Sequence, residues 1–563
     1  MARQMNFHKS SMINCLWGVL LGCVVLLIIL MGAVPPVSRD ALTHHLYVPI
    51  LYLQNGGIFE IPQIKFSYYP MNLDLLYLGA LYFKNDILPK FIHFSFSLAT
   101  AWMIFVYLKT RINTGHALLG SLIFLSIPVI VNLSTVVYVD LGLVCFLFAA
   151  LIFLFKWIEQ RFKVKPLVIS AVFCGLALGA KYNGLVGLFL LGLFVPFVYA
   201  RYHSNGSSYV GKAIGFSLLY VFIALIIFSP WMIRNVVWTG NPIYPLYNSV
   251  FNHGDKHLEI AGDEGSGAKP RISHFLIRKK LYDESALAVA LIPLRVFFQG
   301  KDNDPKYFDG RANPFLLLLP IFAFFGIRSD TPQIRAEKFL MIGFSVLFLL
   351  FACAQTVIRI RYFAPIFPPL VILAMFGIHR LEKYLADKSN FPISVRNLVI
   401  YGIIVMMLGW NANYIVERYN YVKPMDYLTG KISRDDYIQK YRPEYASMQY
   451  ANHHLTNQDR ILGVYLGNRG YYSEIDIVFS IHLLQNLAKT AESCADIYEG
   501  LRKRDITHLI VNHELFNFWV KDYSLHEKQM LKDFFERHLL QLFYRDGHGV
   551  YQLQQDSHNK TDF

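Results

Sequence analysis

Long apolar blocks, each close to the roughly 20 residues that cross a bilayer core, fill most of residues 1–413. Of the 563 residues, 54% are hydrophobic and only 16% charged, against about 25% charged in a soluble chain. This part of the chain cannot be a water-soluble fold, and the sequence reads as a polytopic α-helical membrane protein. About eleven spans fall near 14–34, 87–108, 116–135, 138–156, 166–181, 183–200, 213–233, 313–327, 339–357, 361–380 and 397–413. Residues 1–13 are polar and basic. The run after them is too long for a signal-peptide core, and Pro35-Pro36 is a poor cleavage site, so it reads as a retained first span.

Basic residues punctuate alternate loops. Lys109 and Arg111 follow the second span; Lys156, Arg161, Lys163 and Lys165 the fourth; Arg201 and Lys212 the sixth; Arg328, Arg335 and Lys338 the eighth; Arg380, Lys383, Lys388 and Arg396 the tenth. Cytoplasmic loops collect Lys and Arg, which places the N-terminus in the cytoplasm and the C-terminal tail outside. The same loops account for the net charge of +14 without nucleic acid as a partner. The expected organisation is a transmembrane domain over 1–413, with outer loops at about 35–86 and 235–313, and an extracytoplasmic α/β domain over 414–563. Within the second loop, 284–298 is apolar on one side and suits a segment lying along the membrane. In the tail, 461–465, 507–511, 540–544 and 550–553 read as strands, and 495–504 and 525–538 as helices. Five of the six cysteines fall in apolar blocks and Cys494 stands alone in the tail, so neither a disulfide framework nor a cysteine metal site is indicated.

Charge at membrane depth is costly, which makes each charged residue beside a span a functional candidate. Here the candidates gather on the outer side. Asp40 lies just past the first span, in Ser38-Arg39-Asp40-Ala41-Leu42-Thr43-His44-His45. The structural reading is a helix capped by Ser38, with Asp40 favouring its positive end; the functional reading is a general base, with His44 and His45 beside it. Lys65, Tyr68 and Tyr69 follow in the same loop, where the tyrosines suit interfacial anchoring. Asp140 opens the fourth span and needs a partner. Lys181 sits at a tight outer turn, where snorkelling is the structural alternative. Arg234 ends the seventh span, and Arg359 and Arg361, followed by Tyr362, open the tenth.

Two carboxylates and five cations on one face suggest a polar cavity that holds a phosphate, by a bidentate fork from Arg and as a point charge from Lys. A sugar carried on a polyprenyl phosphate presents that phosphate at the membrane surface. An acid there takes the proton of an acceptor hydroxyl, which attacks the anomeric carbon with inversion, while Lys and Arg stabilise the departing lipid phosphate. Asp140, with a divalent cation or a histidine, would order the site. Whether Asp40 and Asp140 hold such a cation stays open, and no other cofactor is indicated.

Tyr138-Val139-Asp140, Gly179-Ala180-Lys181-Tyr182-Asn183-Gly184, Pro230-Trp231-Met232-Ile233-Arg234-Asn235, Thr239-Gly240-Asn241-Pro242 and Arg361-Tyr362-Phe363-Ala364-Pro365 join Ser38-Arg39-Asp40 in a pattern spanning roughly 14–413. In order and sidedness it resembles the GT-C superfold of membrane glycosyltransferases, in the branch of the protein O-mannosyltransferases and the aminoarabinose lipid A transferase. The resemblance implies a first-loop Asp as base, matched by Asp40, and a second acid, matched by Asp140. It also implies a donor-phosphate lysine, which Lys65 matches loosely. Many members carry paired acids in the first loop; here Ala41 follows Asp40, which leaves the acceptor open among glycan, lipid and protein. The rival readings are a lipid-linked oligosaccharide polymerase or ligase, and a transporter, which would favour charges near midplane.

Overall fold

A computed structural model of the chain describes residues 2–203, 209–252, 274–355, 357–387, 392–480 and 482–555. Its first part holds α1 (Ala2–Gly32), α2 (Tyr47–Asn55), α3 (Asn72–Tyr82), α4 (Leu88–Arg111), α5 (Thr114–Ser126), α6 (Pro128–Ser134), α7 (Asp140–Glu159), α8 (Val164–Ala180), α9 (Gly184–His203) and α10 (Tyr209–Thr239). Further long helices run over Pro332–Cys353, Phe367–Asp387 and Ile393–Val422.

The chain is an integral membrane protein. Among the described residues, eight helices are long and apolar enough to cross a bilayer, and the pair α5–α6 makes a ninth if its two parts form one span. That pair bends by 67° at Ile127, whose ψ of 129° is the extended setting imposed by a following proline. Every expected span is helical at least in part. Two fall short of a full crossing: α8 has 17 residues, and the segment expected at 313–327 forms only Phe315–Phe322, closed by a turn at Gly326 with φ +62°.

Burial separates inner from outer helices. The apolar windows of α7 and of the Ile360–Ala386 span are 78% and 89% buried, whereas those of α10 and Ile393–Val422 are 22% and 17% buried and present their side chains to lipid. Two glycines let α3 lie directly against α7 and α8. A Cβ at Gly142 would meet Leu73 at 2.5 Å, and one at Gly179 would meet the Asn72 amide at 2.0 Å. Asn72 is fixed in turn by the Trp231 indole N–H, which donates to its Oδ1 at 2.8 Å.

The C-terminal part carries a five-stranded sheet in the order β2-β1-β3-β5-β4, from β1 (Arg460–Val464), β2 (Asp476–Phe479), β3 (His508–Asn512), β4 (Leu539–Arg545) and β5 (His548–Leu553). β2, β1 and β3 are parallel; β5 joins β3 and β4 antiparallel. Four strands lie where the sequence indicates. The fifth, β2, is a four-residue edge strand with one buried position, too short for an alternating pattern. The expected helices form as Cys494–Arg502 and Leu525–His538, each opened by a capping box. Ile393–Val422 runs without a break past residue 413. The segment 284–298 forms two short helices, Ala286–Ala290 and Ile292–Arg295, with Leu287, Leu291, Leu294 and Phe298 exposed. Residues 253–273 of that loop, and Lys388, lie outside the described residues.

Candidate active site

Asp40, Asp140, Lys181, Arg234 and Arg361 all stand where a long helix ends or begins, at one end of the bundle. The basic loops lie at the other. After α1 the chain makes a single π-helical turn, Ala41–His45, whose N-cap is Asp40 without a side-chain cap bond. The Ser38 hydroxyl is buried without a partner, so the expected Ser38 cap does not form. The Asp40 carboxylate serves instead as a long-range acceptor: Arg361 Nη2 donates to its Oδ2 at 2.7 Å, across 321 residues of sequence. The Arg361 guanidinium also stacks over the Tyr138 ring, 4.6 Å from its centroid. Burial pushes the Asp40 carboxyl up, but Arg361, His44 and His45 more than offset it and hold the group well below the usual carboxylate range. Asp40 is therefore ionised.

The second carboxylate is arranged differently. Lys181 Nζ donates to Asp140 Oδ1 at 2.7 Å, and Asp140 Oδ2 is buried without a partner. The Lys181 ammonium lies 5.0 Å from the Tyr362 ring centroid. Each carboxylate is thus paired with a cationic side chain.

A cavity of about 1310 Å³ opens over this cluster. Asp40, His44, His45, Tyr69, Lys181, Arg359, Arg361 and Tyr362 line it, and so do Tyr465, Asn468, Arg469 and Ser480 from around β1 and β2. Its walls carry five cationic side chains and two acidic ones, a balance that favours an anion. A second cavity, of about 310 Å³, shares Arg39, Asp40, Arg359 and Arg361 with the first. The Asp40–Arg361 pair lines both cavities. His44 stacks on Phe66 at 4.4 Å with its Nδ1 buried and unpartnered; burial keeps this ring well below the ordinary imidazole range. His45 Nδ1 lies 2.7 Å from Asp74 Oδ1. Arg359 reaches Asp309 at 3.2 Å.

Four expected site residues lie outside that lining. Asp140 sits behind Lys181, with which it is paired. Arg234 is held between the Trp231 and Trp238 rings, 4.7 and 4.8 Å from their centroids, and donates to the Tyr69 carbonyl at 3.1 Å. Tyr68 is buried, with its hydroxyl donating to Glu60 at 2.6 Å, and Lys65 is exposed on the turn Lys65–Tyr68. The five cations expected to face one cavity therefore divide: Lys181, Arg359 and Arg361 face it, and Lys65 and Arg234 do not.

Other residues build the site without being evident in the sequence. Lys90 is buried in α4, and its ammonium donates to the Val34 and Pro35 carbonyls at 2.6 and 3.2 Å, fixing the exit of α1. One turn on, His93 accepts the Leu141 N–H at 3.0 Å and locks the start of α7. The signal for both was polar side chains inside an apolar helix. The C-terminal part grips the Asp40 loop from both sides: Arg442 donates to the Val37 carbonyl at 2.5 Å, the Tyr472 hydroxyl to Pro36 at 2.7 Å, and the Tyr471 N–H to Leu42 at 3.2 Å.

The model of the family described as dolichyl-phosphate-mannose-protein mannosyltransferase matches residues 83–233. No curated protein sequence matches significantly. Among solved structures, ArnT from Cupriavidus metallidurans in the apo state is similar at TM-score 0.54 and 13% identity, over 95% of this chain and 97% of that one. The same protein bound to undecaprenyl phosphate gives 0.53 and 14%, with the same coverage. The Archaeoglobus fulgidus oligosaccharyltransferase AglB, in complex with an inhibitory peptide and a dolichol-phosphate, gives 0.51 and 10%, over 96% of this chain and 74% of that one. The fold is that of the GT-C membrane glycosyltransferases.

Proposed function

We propose that the protein transfers a sugar from a polyprenyl-phosphate donor to an acceptor hydroxyl at the outer face of the membrane, with inversion. The observation that carries this reading is a carboxylate, Asp40, that lines two cavities and is held by a guanidinium. The donor phosphate occupies the larger cavity near Lys181, Arg359 and Arg361, and the acceptor hydroxyl reaches Asp40 from the smaller one. The acceptor O–H gives its proton to Asp40 and its oxygen bonds to the anomeric carbon. The bond from that carbon to the phosphate oxygen breaks, and the lipid phosphate leaves with the electron pair, its charge met by Arg361 and Lys181. Asp140 is a positioning residue for Lys181. Charges at the helix ends rather than at midplane favour group transfer over transport.

A carboxylate paired with arginine is a weak base. Arrival of the donor phosphate gives Arg361 a second anion to bind, which loosens its hold on Asp40 and strengthens the base once the donor is in place. In the free enzyme neither Asp40 nor His44 titrates near neutrality, because both are held below their ordinary values. The pH profile of kcat/KM, which reports the free enzyme, is therefore expected to show no acid limb from Asp40 or His44 between about pH 5 and 7, where an unperturbed histidine would titrate. A limb in that window that disappears in His44→Gln would assign the titration to His44 and contradict this account.

The reading is tested with purified protein in lipid vesicles containing a series of polyprenyl-phosphate sugars, by following release of the free lipid phosphate with and without candidate acceptors. Release that requires an acceptor and is lost in Asp40→Asn supports it; release from no donor refutes it. Sidedness is tested separately. A reporter active only in the cytoplasm, fused after residue 420, is expected to stay silent, and a strong signal would invert the topology.

A further inference from the structure

At the opposite end of the bundle, two helices bring together a group that glycosyl transfer does not use. His116 lies in the first turn of α5, and His379 and Glu382 lie near the end of Phe367–Asp387. Glu382 is 21 positions beyond Arg361 in sequence, so at 1.5 Å per helical residue the two are on the order of 30 Å apart.

The hydrogen bonds around His116 fix its chemistry. Asn113 caps α5, and its Oδ1 accepts the backbone N–H of His116 at 2.9 Å, which identifies that atom as the amide oxygen. The same oxygen lies 3.0 Å from His116 Nδ1. An amide oxygen only accepts, so Nδ1 carries the hydrogen and Nε2 of the neutral ring presents a lone pair. Nε2 is buried with no hydrogen-bond partner and lies 3.3 Å from Glu382 Oε2. His379 Nδ1, also buried and unpartnered, lies 3.6 Å from the same oxygen. Two imidazole nitrogens and a carboxylate oxygen thus converge, all within 4.8 Å of one another, a spacing that suits one positive centre shared among them. The alternative is a proton on each ring shared with Glu382, at the long separations of 3.3 and 3.6 Å. A single divalent ion satisfies all three.

We propose that His116, His379 and Glu382 bind one divalent transition-metal ion of the Zn²⁺ class, which pins α5 to the Phe367–Asp387 helix. Two imidazole nitrogens and a carboxylate oxygen form a zinc donor set, with a fourth position left for water. Glu382, 40% exposed, opens that position to solvent. Asn113 is the outer hydrogen bond that fixes a metal-bound histidine ring.

The test uses the full-length protein purified without a polyhistidine tag, stripped with chelator and titrated with ZnCl₂ or CoCl₂. One zinc per chain by elemental analysis, a visible absorption band of four-coordinate cobalt, and a zinc-dependent rise in Tm are expected. His379→Ala and Glu382→Gln should weaken zinc binding at least about 100-fold, and Asn113→Ala about 10- to 100-fold, the range for loss of an outer partner. The cobalt spectrum of the unmutated protein decides the matter should a variant fail to fold. Absence of that band, or a zinc titration indistinguishable from that of His379→Ala, would overturn the proposal and leave a proton-held ion pair. In that case Tm would rise from pH 8 to pH 6 without metal, and His116→Ala would abolish the rise.

Discussion

Asp40→Asn is expected to lower turnover by about 100-fold or more while the protein folds and binds donor normally. Asparagine keeps the shape of aspartate and an oxygen that accepts from Arg361, so the pair that lines both cavities survives. What is lost is the proton acceptor. General base catalysis contributes on the order of 10²–10⁴-fold, and a 100-fold loss corresponds to about 2.7 kcal/mol in the barrier. The measurement is single-turnover transfer alongside binding of the lipid phosphate alone. Turnover within a few-fold of the unmutated protein would remove Asp40 from proton transfer. Asp140 cannot easily replace it, because it stands behind Lys181 and outside the cavity lining.

Arg361→Ala is expected to lower kcat by about 100- to 1000-fold, the range for removing one preorganised donor from developing negative charge. It should also produce a pH signature that no general loss of folding would mimic. In the unmutated protein, burial raises the Asp40 pKa, and Arg361, His44 and His45 together more than compensate. With the guanidinium gone, burial is less opposed and the pKa of Asp40 moves up. A base with a raised pKa is protonated at higher pH, so the residual activity should fall as pH is lowered, through an Asp40 limb that the unmutated profile lacks. Arg361→Lys keeps the charge but not the two-pronged geometry, and should cost about 10- to 100-fold in kcat/KM without the acid limb. An Arg361→Ala enzyme with unchanged donor affinity and a flat profile would place the phosphate elsewhere.

The apolar spans were legible because the cost of exposing a residue to lipid is local. Where an element departed from its expected length, a local feature caused it, as with Pro128 at the α5–α6 bend and Gly326 after Phe315–Phe322. Asp40, Lys181 and Arg361 were legible for the same reason, as charges beside apolar blocks. Their pairing was not, since Asp40 and Arg361 are 321 residues apart and nothing in either neighbourhood names the other. Arg234 shows the limit from the opposite direction. In sequence it is one more cation at a span end, and only the fold reveals that two tryptophan faces already hold it. Tyr465 and Arg469 were missed because they lie in a tail with ordinary soluble composition, where charge is cheap and carries no signal.

The grip of Arg442, Tyr471 and Tyr472 on the backbone of Pro36, Val37 and Leu42 bears on how the protein is made. The loop that carries Asp40 is fixed by residues synthesised some 400 positions after it. An unfinished chain can insert most of its helices and still lack a fixed Asp40 loop. A chain broken off before Arg442 lacks all three of these contacts, so the folding of the C-terminal part and the fixing of the Asp40 loop are one event.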